Sequence, residues 1–235
     1  MKIMKIMKML RYVKYWYHRF LGKVPLRTPY LKVSKIKLGS DYGGWEVAKD
    51  YLNADSVIYS FGVGTDISFD LSLIDLYNVN VFAFDPTPGC KTYLSSLELP
   101  SNFVFSPYGL ANENKLEKFY LPENPNFISH SKTPTDDQSK FIEVKMKRLS
   151  TFMKELGHKK IDILKMDIEG FEYEVIDEIL QGGLDITQIL VEFHHDMYPT
   201  FNINTTNKAI IDLKNSGYKI FSISLSGREY SFIKA

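Results

Sequence analysis

Glycines, acids and histidines gather in four short stretches, each placed where a hydrophobic run stops. The first is Tyr59-Ser60-Phe61-Gly62-Val63-Gly64-Thr65-Asp66. Glycines at such a bend let the main chain approach a ligand closely and aim helix N–H groups at it. The second is Phe84-Asp85-Pro86-Thr87-Pro88. An acid about 20 residues after a glycine bend can accept hydrogen bonds from ribose hydroxyls. The other role open to Asp85 is to cap the helix that follows. Two glycines without a third make a poor cradle for a pyrophosphate. The pair of features therefore points to a ribose-containing cofactor, either NAD or S-adenosylmethionine, and the missing glycine favours the sulfonium compound.

The third stretch is Leu164-Lys165-Met166-Asp167-Ile168-Glu169-Gly170-Phe171-Glu172, and the fourth is Val191-Glu192-Phe193-His194-His195-Asp196. Charges emitted from the carboxyl end of a buried strand stand where open α/β sheets bind ligands. Asp167, Glu169, His194 and His195 are the candidates for acid–base work. If the strand continues, His194 and His195 point to opposite sides, so at most one of them faces the crevice. Asp167, Glu192 and one of the histidines could hold a divalent metal, although no fixed ligand spacing marks such a site.

The elements that must position these groups follow from hydrophobic period. Short apolar runs at 56–61, 79–84, 103–106, 161–166, 188–193, 218–224 and 230–233 read as strands. Between them, 67–77, 89–97, 150–156, 170–181 and 206–216 read as helices, with Ser150 as an N-cap and Gly157, Gly182-Gly183 and Gly217 as stops. Strands alternating with helices indicate an α/β fold, a doubly wound and mainly parallel sheet covered on both faces. The last two strands, joined by Ser226-Gly227, must pair antiparallel as an edge hairpin. Upstream, Ile36, Leu38, Trp45 and Val47 alternate with polar residues around Gly43-Gly44, which can supply a positive-φ turn between two short strands. That hairpin covers one edge of the core or, with Tyr42 and Trp45, serves as a lid. Residues 112–141 carry Pro122, Pro125 and Pro134 and read as one long irregular loop, a feature that is usually functional.

Of the 235 residues, 44% are hydrophobic and 24% charged, which excludes disordered and low-complexity classes. The net charge of +1 hides an asymmetry: residues 1–37 hold eleven Lys/Arg and no acid, leaving 18 bases against 28 acids on the other 198. The chain is a basic, helical arm (1–35) on an acidic body (36–235). In the arm, Lys2, Lys5, Lys8, Arg11 and Lys14 step by about −60° around a helix and form no single stripe. Such a helix packs on the body with its bases in water. Trp16, Tyr15, Tyr17 and Phe20 among the bases also make residues 1–23 a peripheral contact for anionic lipid. No nucleic-acid motif is present, and the acidic body would repel phosphates. A base at every third residue interrupts any signal-peptide core, and Cys90 is the single cysteine, so the expected compartment is cytoplasmic.

Taken together, YSFGVGTDISFD (59–70), VFAFDPTP (81–88), PYGLAN (107–112), IDILKMDIEGFEYEVI (161–176) and ILVEFHH (189–195) resemble the FkbM-type S-adenosylmethionine-dependent methyltransferases. LGSDYGGWEV (38–47) looks like the segment before the first strand in one branch of that group. The resemblance covers about residues 36–233 and leaves out the arm. It implies a Rossmann-like seven-stranded sheet with the seventh strand antiparallel, and methyl transfer, usually to oxygen, on a small molecule or saccharide. It further implies that Phe61, Gly62, Val63 and Gly64 cradle the amino-acid moiety of S-adenosylmethionine. Asp85 would hold the ribose, and Pro86, Thr87, Gly109 and Leu110 would flank the adenine. Asp167, His194 or His195 would act as general base, with Glu169 orienting one of them. Many members carry Asp where this chain has Phe61, so Asp66 or Asp167 would have to meet the methionine amine. The acceptor side would fall to Ser129, His130, Ser131 and the Tyr42–Trp45 hairpin. Two other classes compete: a nicotinamide oxidoreductase on a similar sheet, and a non-catalytic module that docks through its basic arm.

Overall fold

The computed structural model describes residues 31–120, 140–195 and 201–234, together with Tyr17, which is helical and exposed. Apart from Tyr17, residues 1–30, on which the expected lipid contact of 1–23 falls, lie outside the described residues, as do Ser129, His130 and Ser131. In chain order, β1 (Lys35–Leu38) and β2 (Trp45–Ala48) precede β3 (Ile58–Phe61), α1 (Ser68–Tyr77), β4 (Val81–Phe84), α2 (Pro88–Ser95) and β5 (Phe103–Ser106). Three further strands follow, β6 (Gly109–Leu110), β7 (Lys115–Tyr120) and β8 (Phe141–Lys147). The chain then runs through α3 (Leu149–Leu156), β9 (Lys160–Met166), α4 (Glu172–Gly182), β10 (Asp185–Glu192), α5 (Ile203–Asn215), β11 (Tyr218–Ile223) and β12 (Glu229–Lys234).

Seven strands form one sheet in the order β11-β12-β10-β9-β3-β4-β5. All seven are the strands expected from the apolar runs. The fold is mixed α/β and Rossmann-like, with every pair parallel except those made by β12. The expected β11–β12 hairpin does form this side of the sheet. Within it the antiparallel strand β12 lies one place in, between β10 and β11, so that β11 is outermost. The Ser226-Gly227 turn is too short for a crossover, so β12 can only fold back beside β11, and it does so on the side where β10 offers a second ladder.

Strand alternation divides the core in two. Tyr59, Phe61, Leu164, Met166, Ile189 and Val191 face α3, α4 and α5. Ile58, Ile163 and Leu190 face α1, α2 and the β1–β2 hairpin. A period of two places each strand's neighbours on opposite faces, which is why both faces are apolar and both carry helices.

Three local expectations are corrected. The turn between β1 and β2 takes its positive φ at Gly39 (φ 90°), not at Gly43-Gly44. Those two glycines answer close approach instead: a Cβ on Gly44 would lie 2.3 Å from the Ser40 carbonyl, and one on Gly43 would lie 2.7 Å from Asp66 Oδ2. Ser150 is not an N-cap, since α3 begins at Leu149. Its first amides, Leu149 N–H and Ser150 N–H, donate to buried Glu178 of α4 at 3.2 and 3.4 Å. A carboxylate from the neighbouring helix satisfies the helix end and complements its dipole. Finally, the 112–141 segment is not wholly irregular. β7 pairs antiparallel with β8, and β8 pairs with β6, in a small three-stranded sheet. β7 escaped notice because it buries only Phe119 while Leu116 is exposed, so its ladder holds it and not its pattern. Residues 121–139 lie outside the described set.

Candidate functional site

The tips of β3, β4, β9 and β10 bring together most of the residues singled out above. Gly62 (φ 76°) and Gly64 (φ 59°) hold the bend after β3 in a backbone region that L side chains rarely adopt. A Cβ on Gly62 would sit 1.7 Å from the Asp167 carbonyl oxygen, so the bend lies directly against the chain leaving β9. Around Gly64 there is open space. The bend is fixed from below by Lys165, whose buried Nζ donates to the Gly62 carbonyl at 2.6 Å. Asp70 is buried nearby. Desolvation pushes its carboxyl up, and Lys165 opposes that rise.

Asp85 meets the bend. Gly64 N–H donates to Asp85 Oδ2 at 3.0 Å, while Thr87 N–H and Thr87 Oγ1 donate to Oδ1 at 2.9 and 2.5 Å. Thr87 in turn caps α2 through Cys90 N–H. Asp85 thus organises the helix start and the glycine bend together. The Cys90 thiol hydrogen-bonds the same carboxylate, so four donors from the chain converge on Asp85. A bend with no room for a Cβ at Gly62 and open space at Gly64 fits a closely held adenosyl ligand. Pro86 and Thr87 are half-buried. Gly109 is enclosed, its missing Cβ replaced by Met146 Sδ at 2.3 Å and Pro86 Cγ at 3.1 Å. Leu110 gives its whole side chain to the core, so only its main chain can border a ligand.

The other half of the site is an acid–imidazole cluster. His194 is 3% exposed, and its Nδ1 lies 2.8 Å from Glu172 Oε1. Glu172 is fully buried, and it also accepts from Ile168 N–H and Gly170 N–H, both at 3.0 Å. His194 Nε2 therefore faces the crevice, 3.6 Å from Asp167 Oδ1 and 3.8 Å from Glu169 Oε2. Burial disfavours the imidazolium, but Glu172, Asp167 and Glu169 outweigh it and raise His194 to about 10. Glu192 is raised to about 8 by burial and by the charge of Asp167. Asp167, Glu192 and His194 each offer a ligand atom within 4.8 Å of the others.

His194 is thus the histidine that the structure brings to Asp167, and His195 is buried as well. Asp66 has its oxygens taken by Ser40 Oγ at 2.5 Å and by Ser68 N–H and Oγ at 3.0 and 2.5 Å. Burial acts to raise its carboxyl, and those donors lower it below the usual range. Trp45 is buried among Leu38, Val47 and Phe69, so it belongs to the core and not to a lid, while Tyr42 is exposed. Sequence reasoning missed Glu172. As a first-turn acid it reads as a solvent-facing complement to the helix dipole, and only the fold turns it inward.

Residues 64–220 match the model of the Methyltransferase FkbM domain. The chain belongs to the FkbM methyltransferase family. It is 33% identical over 173 residues to the human "Probable methyltransferase-like protein 24", a stretch that is 71% of this chain and 40% of that protein. The rat protein of the same name is 33% identical over 67 residues, 28% of this chain and 18% of the relative. The chain thus spans well under half the length of these relatives. Among solved structures, a fibrillarin from Methanococcus jannaschii, described as a pre-rRNA processing protein, aligns with TM-score 0.43 and 12% identity over 77% of this chain and 67% of its own. Aeropyrum pernix fibrillarin, solved with natively bound S-adenosyl-L-methionine, aligns with TM-score 0.40 and 8% identity over 90% and 86% of the two chains.

Phe61 is the position at which the resemblance marks a departure. The Phe61 ring is fully buried and stacks on Phe84 with centroids 4.4 Å apart. Only its main chain reaches the crevice, where its carbonyl accepts from Asp167 N–H at 3.2 Å.

Proposed function

We propose that the chain transfers a methyl group from S-adenosylmethionine to a hydroxyl oxygen of a saccharide or another small hydroxylated acceptor. The observation that carries this reading is Asp85 closing on Gly64 at 3.0 Å, beside an acidic cluster that suits a cationic ligand. The main chain of Phe61, Gly62, Val63 and Gly64 would border the amino-acid moiety, Asp85 would hold the ribose, and Pro86, Thr87 and Gly109 would flank the adenine. Asp167 N–H donates to the Phe61 carbonyl at the bend, so its carboxylate borders the same crevice.

When bound, S-adenosylmethionine supplies an electrophilic methyl group on a sulfonium that is already a good leaving group. Alignment by the protein can then account for ~7–11 kcal/mol of the barrier. The acceptor hydroxyl must still lose its proton as the bond forms, and a placed base contributes about 10²–10⁴-fold. Asp167 has a side chain 34% exposed, against 3% for His194, so Asp167 is the group that can reach the acceptor. His194 stands behind it as a positioning residue, itself held by Glu172, and Glu169 flanks the same imidazole.

The test is calorimetric titration of the full chain with S-adenosylmethionine, followed by turnover of the labelled cofactor with fractionated glycans. Asp85→Ala should weaken cofactor binding, whereas Asp167→Asn should lower turnover more than affinity. A wild-type protein that fails to bind the cofactor, or binds NAD instead, would overturn the reading.

A further inference from the structure

We propose that Asp167, Glu192 and His194 form a binding site for a divalent cation of the Mg²⁺ or Mn²⁺ type. Their ligand atoms lie within 4.8 Å of one another. Atoms bound to one ion at about 2.1–2.4 Å lie no more than ~4.2–4.8 Å apart, so the three fall inside the span that one ion can bridge. The ligand set is two carboxylates and one imidazole, a mixture that takes oxygen-preferring divalent ions and not thiophilic ones.

A second, independent feature is the mounting of the imidazole. Fully buried Glu172 engages His194 Nδ1 at 2.8 Å and is itself held by the Ile168 and Gly170 amides. This is the arrangement in which a carboxylate fixes the ring and presents the other nitrogen to a metal, which displaces the proton on Nε2 when it binds. Nε2 then stands 3.6 Å from Asp167 and 3.8 Å from Glu169, both longer than hydrogen bonds. The surrounding charge has the same sign. Glu169 adds a carboxylate, Glu229 lies opposite Glu192 in the β10–β12 register, and Arg228 is 3.9 Å from Glu192 as a counter-charge.

Three protein ligands leave about three of six octahedral positions for water or for acceptor oxygens. Asp167 has a second oxygen with which to accept the acceptor's proton while the first binds the ion. That use of the ion, holding a hydroxyl and making its proton easier to remove, rests on the methyl-transfer reading. Binding of the ion does not.

The experiment is titration of the full chain with Mn²⁺ alone, following free ion by electron paramagnetic resonance and folding by circular dichroism. One saturable site is expected. Asp167→Asn, Glu192→Gln and His194→Gln should each weaken it about tenfold or more, by analogy with the cost of disturbing ligand surroundings. Asp41→Asn, an exposed acid elsewhere, should leave it unchanged. Glu192→Gln is nearly isosteric at a strand end, so it reports on binding even if a buried His194 variant fails to fold. Absence of a saturable site, or a site retained by all three variants, overturns the proposal. So does displacement of Mn²⁺ by S-adenosylhomocysteine, which would assign these acids to the cofactor's ammonium. Calorimetry with S-adenosylmethionine on the same samples separates the two readings. Cofactor binding without Mn²⁺ binding sinks the cation site alone, and the reverse sinks the methyl-transfer reading alone.

Discussion

Asp85 works for the protein before it works for any ligand, because Gly64 N–H, Thr87 N–H and Thr87 Oγ1 all end on it. Replacing it with Ala removes the proposed ribose partner and loosens the bend at once. Charge-assisted hydrogen bonds are worth ~1.5–3 kcal/mol, so cofactor affinity in Asp85→Ala should fall about tenfold to a hundredfold by calorimetry. Equal affinity would remove the ribose assignment. Gly62→Ala should be worse for the fold than for any single contact, because the new Cβ meets the main chain at Asp167 and the φ of 76° is unfavourable to Ala. Its thermal midpoint should drop and cofactor binding should be lost together. Asp66 provides the pH prediction. Its folded value lies below its unfolded one because Ser40 and Ser68 hold the carboxylate against the opposing effect of burial. The stability it contributes is present above the ordinary carboxylate range and is lost as pH falls through the lowered folded value. Asp66→Asn should therefore flatten the loss of stability in acid unfolding below about pH 4 and leave the neutral-to-alkaline slope unchanged.

At the scale of elements, the start of α3 depends on a side chain from α4. Glu178 is buried and accepts from Leu149 N–H, Ser150 N–H and Ser150 Oγ, and Arg148 Nε reaches it at 3.1 Å. Glu178→Ala leaves two helix amides without that acceptor, each a desolvated donor. The expected cost is about 1–3 kcal/mol, and for a chain of this size each kcal/mol lowers the melting temperature by about 2–4 °C. A melting temperature equal to wild type would show that water replaces the carboxylate. The small sheet shows two ways in which a strand meets the core. β8 alternates Ile142, Val144 and Met146 inward, while β7 buries only Phe119 and is held by main-chain pairing.

At the scale of the whole molecule, the β1–β2 hairpin is bound to the sheet through polar groups as well as through Trp45 and Val47. Gln188 is fully buried on β10, where it accepts from Ala48 N–H at 2.8 Å and donates to the Ala48 carbonyl at 3.2 Å. Ser231 of β12 donates to the Glu46 carbonyl at 2.9 Å. β2 is thus joined to the sheet by side chains in place of a ladder. Gln188→Leu should cost about 1–3 kcal/mol and raise hydrogen exchange first in residues 35–48, because the buried Ala48 amide and carbonyl lose their partner. Uniform loss of protection across the molecule would instead mean that the hairpin and sheet open as one unit. Among the described residues, no helix is long and apolar enough to cross a membrane.

How much was legible in the chain follows from what is local. The seven strands, the alternation with helices, and the glycine bend at Gly62–Gly64 are written in hydrophobic period and in residues with unusual backbone freedom, both of which act over a few neighbours. The meeting of Asp85 with that bend was legible because sheet topology carries the ends of adjacent parallel strands to one crevice. Three other facts arise from contacts between groups far apart in the chain. Glu172 turns inward to hold His194, Glu178 caps α3, and Gln188 clasps Ala48 across 140 residues. A carboxylate or amide has no local preference that distinguishes solvent from a buried partner, so only packing could decide them.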